Sequence, residues 1–282
     1  MKLTVGAYAA FPSLHQGPQP ELDSQFMDGL RSFPEIGGLE IPFFGETPDH
    51  LSLLKSEDSK WSHVLTLIPG VMNHLKKDAL FGLASKDDHG RLRALDFYRE
   101  AHQALIETNN RLGRRAFSLV EVHSAPQLGK QGVVSSSTEA LIRSLDTLRE
   151  LDWQGAELAI EHCDAFIPNQ VPSKGFLPLD REIDAIQGSS GRTPCGILIN
   201  WGRSAIEGRS AQTPLDHLLK VKKTGLLRGL IFSGATPTNP LYGDWVDSHA
   251  PFDAENSLLT AETARLAVKT AGGIQGLRVY GL

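Results

Sequence analysis

Cysteine is nearly absent, with Cys163 and Cys195 the only two in 282 residues. A disulfide scaffold is thereby excluded, and so distant a pair in an α/β chain fits a reducing compartment, so a cytoplasmic location is expected. Long apolar runs are missing as well. The N-terminal MKLTVGAYAAFPS is broken by Gly6 and Pro12 and reads as a first strand, not a signal peptide. No run approaches the roughly 18 residues of a spanning helix, so no membrane partner is expected. Nor is positive charge in excess: 28 Lys and Arg against 33 Asp and Glu give a net charge of -5, with no basic run. That balance argues against nucleic-acid or membrane-surface binding. No Gly-rich phosphate-binding turn follows the first strand, so no nucleotide cofactor is expected.

What is present is the composition of a soluble globular chain, 40% hydrophobic and 22% charged. Its length suits one α/β barrel, which takes roughly 250 residues. Eight apolar runs of strand length fall at 3–10, 39–43, 63–68, 116–122, 156–160, 195–199, 227–232 and 277–282. Seven helical patterns alternate with them. One begins near Glu21, and one is opened by Thr47-Pro48 ahead of Leu51, Leu53 and Leu54. A long one spans 90–113 with Gly113 as its stop, and another spans 136–151 with Ser136 and Glu139 as a capping box. The others cover 179–187, 214–223 behind Thr213, and a stretch to Thr270 behind Thr260. Such alternation predicts a parallel sheet with crossover helices, and eight strands close a (β/α)8 TIM barrel. The expectation is a single domain over 1–282 with no clear eighth helix; an open doubly wound sheet is the rival.

In a barrel, polar side chains at the C-terminal strand ends converge on one mouth. The stretch GAELAIEHCD, 155–164, runs from buried-strand residues straight into Glu161, His162, Cys163 and Asp164. Period-two alternation puts Glu121 with His123, and Ala159 with Glu161, while His162 projects to the other face. Burying Glu161 without a partner would be costly, so a metal, a cation, a substrate hydroxyl or loop amides should meet it. Glu40, Asn200, Trp201, Arg203, Ser233 and Trp245 are candidate substrate contacts. The two tryptophans could floor a sugar pocket, and Arg203 could face an anionic or hydroxylated ligand with Glu207 orienting it. A solvated Arg203–Glu207 ion pair and a purely structural His123 are the plainer readings. Trp61 and Trp153 precede strands at the opposite rim and read as structural.

The order of motifs resembles the xylose isomerase-like TIM-barrel superfamily, which includes sugar isomerases, epimerases and endonuclease IV-type repair enzymes. The likeness rests on Leu112-Gly113 closing a long helix, on VEVHSAP, on LAIEH, and on the later Asp247-Ser-His249. It implies a divalent metal (Mn, Mg or Zn) held by His123, Glu161, Asp247 and His249. The chain departs from the family pattern at several places. Asn200 and Arg203 stand where an aspartate and a histidine are usual, Pro69 where a histidine often ends strand three, and FSGAT follows strand seven. GLRVYGL lacks the family's last glutamate. Arg203 cannot ligate a metal and would repel one.

The expected function is that of a sugar isomerase or epimerase, moving a proton next to the carbonyl of a small polyhydroxylated substrate. Glu161 would be the base, a metal or Arg203 would stabilise the enediolate, and His123 or His249 would carry the second proton. The alternatives are a catalytically silent barrel that binds a small molecule, and a metal-dependent phosphodiesterase of the endonuclease IV type. A homo-oligomer is compatible with all three.

Overall fold

The computed structural model describes residues 3–13, 17–45, 49–129, 135–273 and 278–281. Eight parallel strands follow one another in sequence order: β1 (Leu3–Val5), β2 (Ile36–Pro42), β3 (His63–Thr66), β4 (Phe117–Val122), β5 (Glu157–His162), β6 (Cys195–Asn200), β7 (Leu227–Phe232) and β8 (Arg278–Gly281). β8 pairs back onto β1, and the sheet closes. The helices are α1 (Pro20–Arg31), α2 (Ile68–Lys77), α3 (Asp88–Leu112), α4 (Thr138–Arg149), α5 (Leu179–Gly188), α6 (Trp201–Gly208), α7 (Thr213–Thr224) and α8 (Ala261–Ala271). The expected α/β TIM barrel is what the chain forms. Both cysteines are buried and free, and among the described residues no helix is long and apolar enough to cross a membrane.

Strand alternation sorts the side chains onto two faces. Val64, Leu119, Ala159, Leu198 and Ile231, one from each of β3 to β7, form a small apolar plug inside the barrel. Two residues further along their strands stand Thr66, Glu121, Glu161, Asn200 and Ser233, so the polar layer lies directly above the plug. Their neighbours Leu65, Val120, Ile160, Ile199 and Phe232 belong instead to the large core under the helices. That core also takes in Trp61 and Trp153, and the Trp153 indole donates to the Leu148 carbonyl at 2.9 Å.

Several boundaries differ from expectation for local reasons. The run 3–10 is a strand only to Val5 and then turns into a short 3-10 helix, Ala7–Ala10. Thr47-Pro48 lies outside the described residues; Leu51 and Leu53 sit on a 3-10 helix, His50–Leu53, capped by Asp49. Pro69-Gly70 does not merely stop β3. Pro69 occupies the first turn of α2, where a missing N–H costs no hydrogen bond. The cap of α4 is Ser137, whose hydroxyl accepts from the Ala140 N–H, and not Ser136. Thr213 is the first residue of α7 and no side chain caps that helix. Thr260 does cap α8, and Gly113 closes α3 with φ 67°.

Candidate functional site

Short local devices place the polar groups. Asn200 ends β6 and caps α6, its Oδ1 accepting from the Arg203 N–H at 3.1 Å and from the Ser233 hydroxyl at 2.7 Å. Arg203 is thereby held one turn above the strand end. Asp164, two residues past β5, accepts from the Ser173, Lys174 and Gly175 amides and folds that loop back over the mouth. The fold-back delivers the Lys174 ammonium. Asp247 is pinned by its own N–H, which donates to the Ser173 hydroxyl at 3.1 Å.

Glu161 is the centre of this arrangement. Its Oε1 accepts from Arg203 Nη1 at 2.8 Å and from Asn200 Nδ2 at 2.9 Å, and its Oε2 meets His123 Nε2 at 2.9 Å. Arg203 Nε donates on to Asp247 Oδ2 at 3.2 Å, and Lys174 Nζ reaches the same oxygen at 2.9 Å. Two carboxylates and two cations thus neutralise one another in a site where every member is largely buried.

Burial alone would push the Glu161 carboxyl up, but Arg203, His123 and Asn200 outweigh it and hold the pKa at about 2. Burial likewise opposes the charged form of Asp247, yet Arg203 and Lys174 keep its carboxyl well below the usual range. Since ionised Glu161 only accepts, His123 must carry its proton on Nε2; burial keeps the ring neutral and leaves Nδ1 a bare, unpartnered acceptor. Two other carboxyls behave oppositely. Burial, then the charge on Glu161, raises Glu40 to about 8. Burial, then Glu40 and Glu161, raises Glu121 well above its ordinary value, and neither Glu121 oxygen has a hydrogen-bond partner. The Thr66 hydroxyl lies close enough to temper both carboxyls without hydrogen-bond geometry to either. At neutral pH the mouth therefore pairs ionised Glu161 with mostly protonated Glu40.

The structure brings Glu40, His123, Glu161, Asn200, Arg203, Ser233 and Asp247 to one end of the barrel. His249 stands at the edge, its Nε2 3.7 Å from Asp247 Oδ1. Trp201 cannot floor a pocket, because as the first residue of α6 it is fully buried in the helix-side core. Trp245 stacks under the Arg209 guanidinium, 5.2 Å from the ring centre, on the loop after β7. Glu207 does not orient Arg203; it turns away to His162. Lys174, which arrives from a loop, and Tyr8, which is partly buried and feels the charges of Glu40, Arg203 and Glu161, join the site without a signal in the sequence, and Cys163, named with its stretch but given no role, accepts from Arg203 Nη1 at 2.8 Å. Only Cys163, inside GAELAIEHCD, carried a signal that sequence reasoning could have used.

The divalent ion implied by the resemblance does not fit these residues. The lumen offers His123, Glu161 and Cys163 with ligand atoms within 4.8 Å of one another, but Asp247 and His249 are not part of that group. Arg203 Nη1 donates to two of its three members at 2.8 Å, so a fixed positive charge stands where the ion would be.

Solved structures share this barrel at low sequence identity. One is the IOLI protein with a binding zinc atom, with a TM-score of 0.57 at 14% identity over 100% of this chain and 88% of that one. Another is the probable 3-DHS dehydratase AsbF of Bacillus anthracis, with a TM-score of 0.54 at 12% identity, covering 100% and 92%. A third is a sugar phosphate isomerase/epimerase of Parabacteroides distasonis, with a TM-score of 0.54 at 7% identity, covering 100% and 89%. These likenesses show the fold, a closed TIM barrel. In sequence, the chain is 35% identical over 275 residues to Uncharacterized protein STM3670 of Salmonella typhimurium, covering 95% of this chain and 84% of that protein. Residues 4–282 match the family described as a domain of unknown function, DUF4862, and the chain belongs to that family.

Proposed function

We propose that the chain is an isomerase- or epimerase-like enzyme that moves a proton next to the carbonyl of a small polyhydroxylated substrate, with Arg203 doing the work of a divalent cation. The observation that carries this reading is the guanidinium set between Glu161 and Asp247 at 2.8 and 3.2 Å. A fixed cation of this kind stabilises an enediolate oxygen as it gains charge. Glu161 accepts three hydrogen bonds and is a weak base, so its part is to hold Arg203, Asn200 and His123 in place. Glu40, with its pKa near 8, is the carboxyl that exchanges a proton close to neutrality. The sugar phosphate isomerase/epimerase among the structural neighbours is consistent with that chemistry. We place the protein in the cytoplasm on its sparse, unpaired cysteines.

The test is a thermal-shift screen of sugars and sugar phosphates, followed by NMR detection of solvent deuterium entering the carbon beside the carbonyl of each hit. Binders raise the melting temperature by mass action. Exchange that is lost in Arg203→Met and does not rise with added Mn²⁺ or Mg²⁺ is the expected result. A rate that scales with added metal would sink the assignment. Hits that bind tightly but never exchange would support the silent binding barrel instead, a reading favoured by the full pairing of Glu161.

A further inference from the structure

On the outer face of β5, behind Glu161, lies a second polar cluster that the lumen chemistry does not use. His162 is fully buried, and its Nε2 lies 3.1 Å from Glu207 Oε2 on α6. His217 on α7 brings its Nε2 to 3.6 Å from Glu207 Oε1, and the two imidazole rings lie 4.9 Å apart, edge to face. The three ligand atoms all fall within 4.8 Å of one another. We infer that His162, Glu207 and His217 form a metal site of zinc type, separate from the barrel lumen.

Four geometric facts support it. Two nitrogens and one carboxylate oxygen form a donor set suited to zinc. Around a tetrahedral zinc with bonds of roughly 2.0–2.1 Å, neighbouring ligand atoms stand about 3.3 Å apart, and each imidazole already lies near that distance from a Glu207 oxygen, His162 Nε2 at 3.1 Å from Oε2 and His217 Nε2 at 3.6 Å from Oε1. Each histidine also has its other nitrogen engaged in the way metal-bound imidazoles require. His162 Nδ1 meets Glu182 Oε2 at 2.7 Å, and His217 Nδ1 meets the Ser204 hydroxyl at 3.1 Å. Glu182 is itself steadied by the Ser124 hydroxyl, and Glu207 by the Ala165 N–H at 2.8 Å. Finally, the side chains of Glu207 and His217 keep 12% exposure each, so the fourth position faces the surface between α6 and α7. Metal entry displaces the proton that His162 Nε2 shares with Glu207 and releases it to solvent.

Zinc alone is the probe. The protein is equilibrated with Zn²⁺, desalted and measured for bound metal, and in parallel titrated with Co²⁺ for the visible bands of a tetrahedral site. Stoichiometric zinc is expected in the wild type and in the lumen variants E161Q and H123A. H217A and E207Q should lose it, and E182Q should bind roughly 10–100-fold more weakly. Wild-type protein that keeps no zinc overturns the inference. So does zinc that is lost in E161Q but retained in H217A. If a cluster variant fails to fold, the Co²⁺ spectrum of the wild type still decides, because absence of tetrahedral bands refutes the site.

Discussion

Taking away the Arg203 guanidinium would leave Glu161 and Asp247 buried, with Asn200, His123 and Lys174 as their remaining partners. Breaking a buried pair from one side costs about 3–5 kcal/mol. Arg203→Met is therefore expected to lower the unfolding free energy, read from denaturant melts, by that order, and Arg203→Met combined with Asp247→Asn should recover part of it. Glu40 gives a pH signature. Its pKa of about 8 in the folded chain lies above the ordinary 4.5, so between those values the unfolded chain releases a proton that the folded one keeps. Stability associated with Glu40 is present below about pH 4.5 and is lost as pH rises towards 8. Melting curves across that range should show a shallower decline for Glu40→Gln than for the wild type, with Glu121, Asp164 and Glu182, which burial also raises, contributing to what remains. At this scale Glu161 was legible, because a charge closing an apolar strand demands a partner. The identity of that partner was less so: Arg203 was visible as an odd residue at a ligand position, whereas Lys174 depends on a loop folded by Asp164.

α6 connects the strands to this chemistry. It begins at the Asn200 cap, and its second residue, Gly202, lies against β7 so closely that a Cβ there would stand 2.4 Å from the Ser233 carbonyl oxygen. Alanine would add about 1 kcal/mol of helix propensity. The clash with fixed backbone outweighs that gain, since overpacking typically costs about 1–3 kcal/mol. Gly202→Ala should thus lower the melting temperature and, by shifting Arg203 off Glu161, reduce deuterium exchange on the order of 10²-fold. α6 and α2 were the two helices that the sequence concealed. α6 follows its strand without a linker, and its GRSAIEG stretch reads as small-residue loop; α2 hides behind a proline that suits a first helical turn as well as a strand stop. The strands were plain by contrast, because segments buried on both faces of the sheet stay apolar along their length.

For the molecule as a whole, strand order is sequence order, and each strand's neighbours in the barrel are its neighbours along the chain, β8 returning to β1. One large core runs under the helices from Phe11 to Ala271. The expectation of a single domain therefore becomes a measurable one: near-UV and far-UV circular dichroism should report coincident thermal transitions. Two separated transitions would show that part of the barrel melts alone. Eight apolar runs alternating with helical patterns made this closure legible, since each strand needs only the next to bury its edge. The charge balance of the mouth was not legible, because it depends on which of four buried carboxyls keep their protons.

β5 carries Glu161 towards the lumen and His162 towards the helices, one residue apart on opposite faces. A single strand therefore gives two chemical settings to natural selection, screened from each other by the sheet itself. The loops above the mouth can be reshaped on the substrate side while the rear cluster stays as it is, whereas α6 carries Arg203 for one setting and Glu207 for the other and ties the two together. Only the face of the sheet separates the two settings, so a change on β5 itself alters one of them and leaves the other in place.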